Sequence, residues 1–256
     1  EAWHDPLSLH HAGRSIVHGI RSIVRGLDLI LQPGLRRYVI LPLLINVVVF
    51  VGMIVLGFRY FDNWLTGTLA ALPEWLGFLS WLMWILFVFI AAAFLFVFFT
   101  LCANIIAAPF NAILSVRVED CLVSEPGEPM TAISLLLILP RAFAREISKL
   151  LYYLPRLIGL AVLSVIPVVN LIAPPLWLLF GGWMMSVQYT DYAADNNGIS
   201  FSELRRRLGG DRINSFGFGL AVYLMMLIPL LNLVLIPAAV AGGTVLWVER
   251  LTDGGD

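Results

Sequence analysis

Apolar and polar positions along the chain first recur with a helical period and then give way to long uncharged runs. Between residues 10 and 31, apolar side chains recur at Ile16, Ile20, Ile23, Leu27 and Ile30, with Val17, Val24 and Leu31 beside them. Arg14, His18, Arg21, Arg25 and Asp28 recur on another face. This spacing predicts an amphipathic helix with a basic face within residues 1–33, carrying too many charges to cross a bilayer. Such a helix either lies along a membrane surface with its arginines toward headgroups, or packs on the rest of the protein with its polar face in water.

The uncharged runs begin with Val39–Phe58, 20 residues long, which covers a hydrocarbon core of about 30 Å and places a first span at 35–58. A second run, Trp75–Val116, holds 42 residues without a charge and predicts one long helix, broken near Ala108-Pro109. Two further runs, Leu157–Thr190 (34 residues) and Ile213–Val248 (36 residues), are too long for one span and too short for two. Each carries turn residues at its centre, IPVVNLIAPP at 166–175 and IPLLNLVLIP at 228–237. Pro167, Asn170, Leu171 and Pro175 recur as Pro229, Asn232, Leu233 and Pro237, an internal repeat at an offset of 62. The expected form is a pair of helical hairpins, at 157–190 and 213–248, that enter the bilayer and turn back; kinked spans are the alternative. Irregular backbone at membrane depth must meet protein or water, so the Pro–Asn tips should face a second subunit, the same chain or an aqueous cavity.

Composition agrees with a membrane protein. Hydrophobic residues make up 60% of the chain and charged residues 13%, about half the share usual in soluble domains. The formal net charge of −1 gives no sign of a nucleic-acid partner. Cys102 and Cys121 make no disulfide framework. His4, His10, His11 and His18 have no ligand partners at metal spacing, so neither metal nor cofactor is expected. No phosphate loop or nucleophile–base arrangement suggests an enzyme. The opening EAWHDPLSLHHAGRS holds no apolar stretch with a small-residue cleavage site, so no cleaved leader is expected. If the hairpins return to their starting side, segments 1–38, 117–156, 191–212 and 249–256 share one side and hold 15 of the 16 Lys and Arg. The positive-inside rule then places both termini in the cytoplasm.

The most distinctive chemistry lies in LILQPGLRRYVILPLL, residues 29–44. Pro33-Gly34 ends the amphipathic helix, and a spanning helix is expected to start near Leu35 with its first amides free. Those amides, the helix dipole and the guanidinium groups of Arg36 and Arg37 suit a tetrahedral dianion. Arginines at the start of a span also serve simply as interface anchors. Asn104 and Asn111 on the long helix should face protein or water. Arg117, Glu119 and Asp120 form either a charged ring at a pore mouth or an interfacial cap. Arg141, Arg145 and Lys149, four residues apart, share a helix face that is either solvated or part of an anion-attracting vestibule.

Five segments together resemble one family: GLRRYVILPLLIN at 34–46, AAPFNAILSVRVED at 107–120, PRAFAREISKLLYYLPR at 140–156, SVIPVVNLIAPP at 164–175 and DYAADNNGISFSELRRRL at 191–208. The chain resembles the CysZ sulfate permeases of bacteria, related to the etoposide-induced membrane proteins, over nearly its whole length. The resemblance implies an all-α fold with an N-terminal amphipathic helix, two long transmembrane helices and two half-penetrating hairpins. It also implies assembly as a homo-oligomer in the bacterial inner membrane and sulfate uptake into the cytoplasm for cysteine synthesis. The family's sulfate-binding Gly-Leu-Arg falls on Gly34, Leu35 and Arg36, with Arg37 adjacent. Asn104, Asn111, Arg117, Glu119, Arg141 and Arg145 are the candidates for a polar route. No nucleotide motif is present, which favours a channel-like mechanism. The competing expectation is a membrane-shaping or scaffold protein that transports nothing, built from the amphipathic helix and wedge-like hairpins.

Overall fold

The computed structural model describes residues 6–70, 79–123, 132–228 and 232–252, and every regular element among them is helical. In chain order these are α1 (Pro6–Ile30), α2 (Arg37–Ala70), α3 (Leu79–Val123), α4 (Ala132–Val165), a 3-10 turn (Val169–Ile172), α5 (Ala173–Asn196), α6 (Phe201–Gly210), α7 (Arg212–Met226), α8 (Asn232–Leu246) and a π-helical turn (Trp247–Leu251). Among the described residues, five stretches are long and apolar enough to cross a membrane: Arg37–Trp64, Trp81–Phe99, Ala144–Val165, Asn170–Asn196 and Val234–Leu251. The chain forms two compact units, one of residues 40–108 and one of 1–39 with 109–256.

The smaller unit is made from most of α2 and α3. At 1.5 Å per residue the complete helices run about 51 and 68 Å, well beyond a hydrocarbon core. Aromatic pairs join them, Phe50 with Phe99 at 4.8 Å between centroids and Phe61 with Trp84 at 4.7 Å. Few residues of their apolar spans are fully buried, and Leu44, Val48, Leu56, Leu86, Phe89 and Ile90 are exposed. Such surface is stable against lipid or another protein, and not against water. The break expected near Ala108-Pro109 does not occur. α3 stays helical through Pro109 to Val123, as membrane helices can when neighbours satisfy the backbone group that proline frees.

The larger unit is a bundle in which α1 packs on α7 and α8, and α5 packs on α7 and α8. Ile23, Leu114, Phe218, Val222, Leu246 and Trp247 lie in its core. Small residues bring the backbones together, the usual device where helices gain little from hydrophobic burial. Gly26 of α1 lies against Gly242 and Ala238 of α8, and Gly219 of α7 against Gly182 and Ser186 of α5. α1 therefore presents three faces. One, through Gly19, Ser22, Ile23, Gly26 and Ile30, is buried; a second, through Val17, Ile20 and Val24, is exposed and apolar; the third exposes His18, Arg21, Arg25 and Asp28. Arg25 on that third face pairs with Glu249.

α4 continues unbroken from Ala132 through Pro140 and Pro155, so the basic block and the first arm of the 157–190 segment are one helix. It runs antiparallel to α5, with a register set by polar pairs. Arg141 meets Asp195, Arg145 meets Asp191, Tyr153 donates to Gln188 (3.4 Å) and the Trp177 indole donates to Ser164 (3.0 Å). The charges sit at the open end and the apolar tip carries Val165, Val168, Leu171 and Ile172, all exposed. Val168 has φ +71°, a left-handed backbone that a β-branched residue rarely adopts. In the second hairpin-like segment, α7 leads to α8; Pro229, Leu230 and Leu231 at its tip lie outside the described residues.

Candidate oxyanion site and its charged surroundings

The junction between α1 and α2 is a tight turn. The Gln32 amide donates to the Leu29 carbonyl (3.1 Å), and the Gln32 carbonyl accepts from both Leu35 (3.0 Å) and Arg36 (3.1 Å). α2 begins at Arg37, two residues beyond the start expected from sequence. The amides of Leu35 and Arg36, expected to be free, are therefore already spent. Pro33 has no amide of its own and fixes its φ, which suits it to a turn closed across it by the Gln32 carbonyl. The amides of Gly34 and Arg37 have no partner among the described residues.

Side chains divide the turn into an anchor and an open rim. Leu35 is buried in the core, which pins the turn to the bundle. Gly34, Arg36 and Arg37 are exposed, and a Cβ added at Gly34 would meet nothing within 4 Å. Arg37 donates to the Tyr38 hydroxyl (3.0 Å), with its guanidinium 4.9 Å from the Tyr38 ring centre. Neither Arg36 nor Arg37 has a carboxylate partner among the described residues. Two exposed guanidinium groups, two free amides and open space at a glycine can hold a tetrahedral oxyanion by charge-assisted hydrogen bonds.

The other candidate residues stand apart from this turn, joined to it by no hydrogen bond or ion pair among the described residues. Most of them have partners inside the larger unit. Arg145 Nε donates to Asp191 Oδ1 at 2.8 Å, and its Nη1 donates to the Ile199 carbonyl at 2.8 Å. Lys149 Nζ lies 3.4 Å from Asp191 Oδ2 and also pairs with Glu146. Lys149 is 1% exposed and Asp191 2%, so this part of the basic block is buried and neutralised. Arg141 pairs with Asp195 at 3.3 Å with more than half of its side chain in the open. Arg117 pairs with Asp120 at 3.0 Å. Asn111 is buried. Asn104 lies on α3, but its side chain falls outside the described residues, as do those of His4, His10 and His11. Among the described residues no group of three or more His, Cys, Asp or Glu is placed to hold a metal ion.

Glu119 accepts from Asn197 Nδ2 at 2.9 and 3.0 Å, tying the end of α3 to the end of α5. Burial pushes its carboxyl above the usual range; the Asn197 bond opposes that, and nearby Asp120 adds to it. A carboxyl raised in the folded state is destabilising once ionised, above that raised value, and the effect is gone below the ordinary carboxylate range. Glu119→Gln, whose amide oxygen still accepts from Asn197, should therefore raise the thermal midpoint slightly at neutral pH. The gap from wild type should close as the pH falls below about 4. Melting curves across that range in detergent check the sign.

Sequence reasoning did not single out Asp191 and Asp195. Their spacing of four matches that of Arg141 and Arg145, a complementarity that was readable once α4 and α5 are taken as an antiparallel pair.

A family model described as sulfate transporter CysZ/etoposide-induced protein 2.4 matches residues 22–237. The Sulfate transporter CysZ of Pseudomonas fluorescens (strain Pf0-1) is 49% identical over 238 residues, covering 92% of this chain and 94% of its own. That of Pseudomonas syringae pv. tomato is 49% identical over 230 residues, covering 89% and 91%. That of Vibrio parahaemolyticus is 38% identical over 233 residues, covering 91% and 94%. With its several membrane-length apolar helices, this multi-pass bacterial membrane protein belongs to the CysZ/etoposide-induced protein 2.4 family.

Proposed function

We propose that the chain carries sulfate across the bacterial inner membrane into the cytoplasm, where it feeds cysteine synthesis. The observation that carries this is the Gly34–Arg37 turn, where two exposed arginines and the amides of Gly34 and Arg37 have no carboxylate or carbonyl partner among the described residues. The relatives' printed name, Sulfate transporter CysZ, supports sulfate as the oxyanion. Capture at the turn comes first, held by Arg36 and Arg37 and by the Gly34 and Arg37 amides, while buried Leu35 fixes the turn's position. Onward passage uses a polar route that includes Asn104 and Asn111 of α3 and is completed in a homo-oligomer. The hairpin tips half-penetrate the bilayer, and the segments rich in Lys and Arg lie on the cytoplasmic side. Conduction is channel-like, in keeping with a chain that carries no nucleotide motif.

Calorimetry with sulfate on the purified protein tests the site. A hydrogen bond to a charged group contributes about 1.5–3 kcal/mol, and each 1.4 kcal/mol is tenfold in affinity. Arg36→Ala with Arg37→Ala should therefore weaken sulfate binding roughly 100-fold or more. Unchanged affinity in a folded double variant would reduce the two arginines to interface anchors.

A further inference from the structure

Away from the Gly34–Arg37 turn, Arg21, Arg59, Arg156, Arg205, Arg212 and Arg250 also lack carboxylate partners among the described residues, and two of these share one aromatic ring. Arg156 of α4 and Arg205 of α6 both lie over the ring of Tyr152, their guanidinium carbons 3.8 and 4.6 Å from its centre. The two cations are thus no farther apart than these ring distances combined. The nearby carboxylates are engaged elsewhere: Asp191 with Arg145 and Lys149, Glu203 with Arg206 and Arg207.

The donors are incompletely used. Arg156 Nη1 donates to the Tyr152 carbonyl at 2.7 Å. Arg205 Nε is buried without an acceptor, although its guanidinium also stacks 5.1 Å from the Phe201 ring centre. Arg145, 5.8 Å from that same ring, likewise has Nη2 buried without an acceptor. Phe201 packs edge-on against Tyr152 at 5.7 Å, and the Tyr152 hydroxyl accepts from the Trp183 indole at 3.1 Å, so the ring supporting the cations is itself fixed. Cations gathered on one ring repel each other, and a buried N–H without an acceptor is costly; an oxyanion relieves both. Arginine forks match a tetrahedral oxyanion through paired N–H donors. The surrounding Tyr and Trp are the side chains that favour the level of lipid headgroups.

We infer that Arg156 and Arg205, gathered on Tyr152, form a second oxyanion site, whose ligand is a tetrahedral oxyanion arriving either as free sulfate or as the phosphate of an anionic phospholipid. The site stands on its own geometry and does not depend on capture at Gly34–Arg37 or on transport.

The test uses full-length protein carrying Arg36→Ala and Arg37→Ala, which silences the first site, with and without Arg156→Gln and Arg205→Gln. Equilibrium dialysis with radiolabelled sulfate and native mass spectrometry in the presence of phosphatidylglycerol are read on the same preparations. A tenfold or larger loss of sulfate binding on adding the glutamines supports the site with the free dianion as ligand. Loss of retained phosphatidylglycerol, with sulfate binding unaltered, supports it with lipid phosphate as ligand. If neither changes, the inference is overturned. Should the fourfold variant fail to fold, Arg156→Gln/Arg205→Gln in the otherwise native chain is compared with Arg156→Lys/Arg205→Lys, which keeps the charge and loses the fork. Oxyanion or lipid retention that falls in the glutamine pair and less in the lysine pair supports the site, and equal retention in both pairs and the native chain overturns it. Failure of the Gly34–Arg37 site itself shows separately, as unchanged sulfate affinity when Arg36 and Arg37 alone are replaced.

Discussion

Asp191→Ala is expected to destabilise the protein by about 3–5 kcal/mol, because it removes the carboxylate shared by buried Lys149 and largely buried Arg145. Asp191 is the shared acceptor of Arg145 at 2.8 Å and of Lys149 at 3.4 Å, and both Asp191 and Lys149 are almost fully enclosed. Glu146, whose side chain is 44% exposed, is then the one carboxylate left to Lys149 among the described residues. The thermal midpoint in detergent should fall by roughly 6–20 °C, taking the shift per kcal/mol typical of chains this size. Asp195→Ala is the matched control one helical turn away. Its partner Arg141 has more than half of its side chain in solvent and keeps a 2.9 Å bond to the Asp195 carbonyl, which the substitution leaves in place. An exposed pair contributes at most about 1 kcal/mol, so this midpoint should barely move. Equal losses in the two variants would mean that burial does not separate the two pairs.

The second large effect is at Gly219. A Cβ there would fall on the carbonyl oxygen of Gly182 and against the backbone nitrogen and Cβ of Ser186. Backbone of a packed helix cannot yield as the end of a flexible side chain can, so α5 and α7 must separate. Gly219→Val should cost about 3 kcal/mol or more, a fall of about 6–12 °C in the midpoint. Gly34→Ala gives the contrast, since its Cβ meets nothing within 4 Å and the midpoint should stay within the small range of ordinary surface changes. A stable Gly219→Val protein would show that the α5–α7 contact tolerates a wider spacing.

The all-α membrane class was legible from the uncharged runs alone, because hydrocarbon thickness fixes how many apolar residues a span needs. The joints between elements were less legible. Pro109 reads as a break in one dimension, yet α3 runs through it, as α4 runs through Pro140 and Pro155, since the packed surroundings decide whether a proline kinks or ends a helix. The partners of Arg141 and Arg145 sit 54 and 46 residues away, and only the antiparallel register of α4 and α5 brings them together. The close approach of Gly26 to Gly242, or of Gly219 to Gly182, has no local signature beyond small residues on a helix face.

The Gly34–Arg37 turn was visible because adjacent arginines beside Pro-Gly interrupt an apolar run, and a cost that large calls for a reason. Two of its details came only from three dimensions. The Gln32 carbonyl takes the amides of Leu35 and Arg36, leaving those of Gly34 and Arg37, and Leu35 is an anchor in the core. Physical chemistry accounts for an oxyanion at such a turn; the choice of sulfate rests on the family.

Uptake of radiolabelled sulfate into proteoliposomes tests the central claim most directly. The wild-type chain should give flux above that of empty vesicles, falling toward the empty-vesicle level when Arg36 and Arg37 are both alanine. Wild-type protein, folded and inserted, that passes no more sulfate than empty vesicles would contradict it.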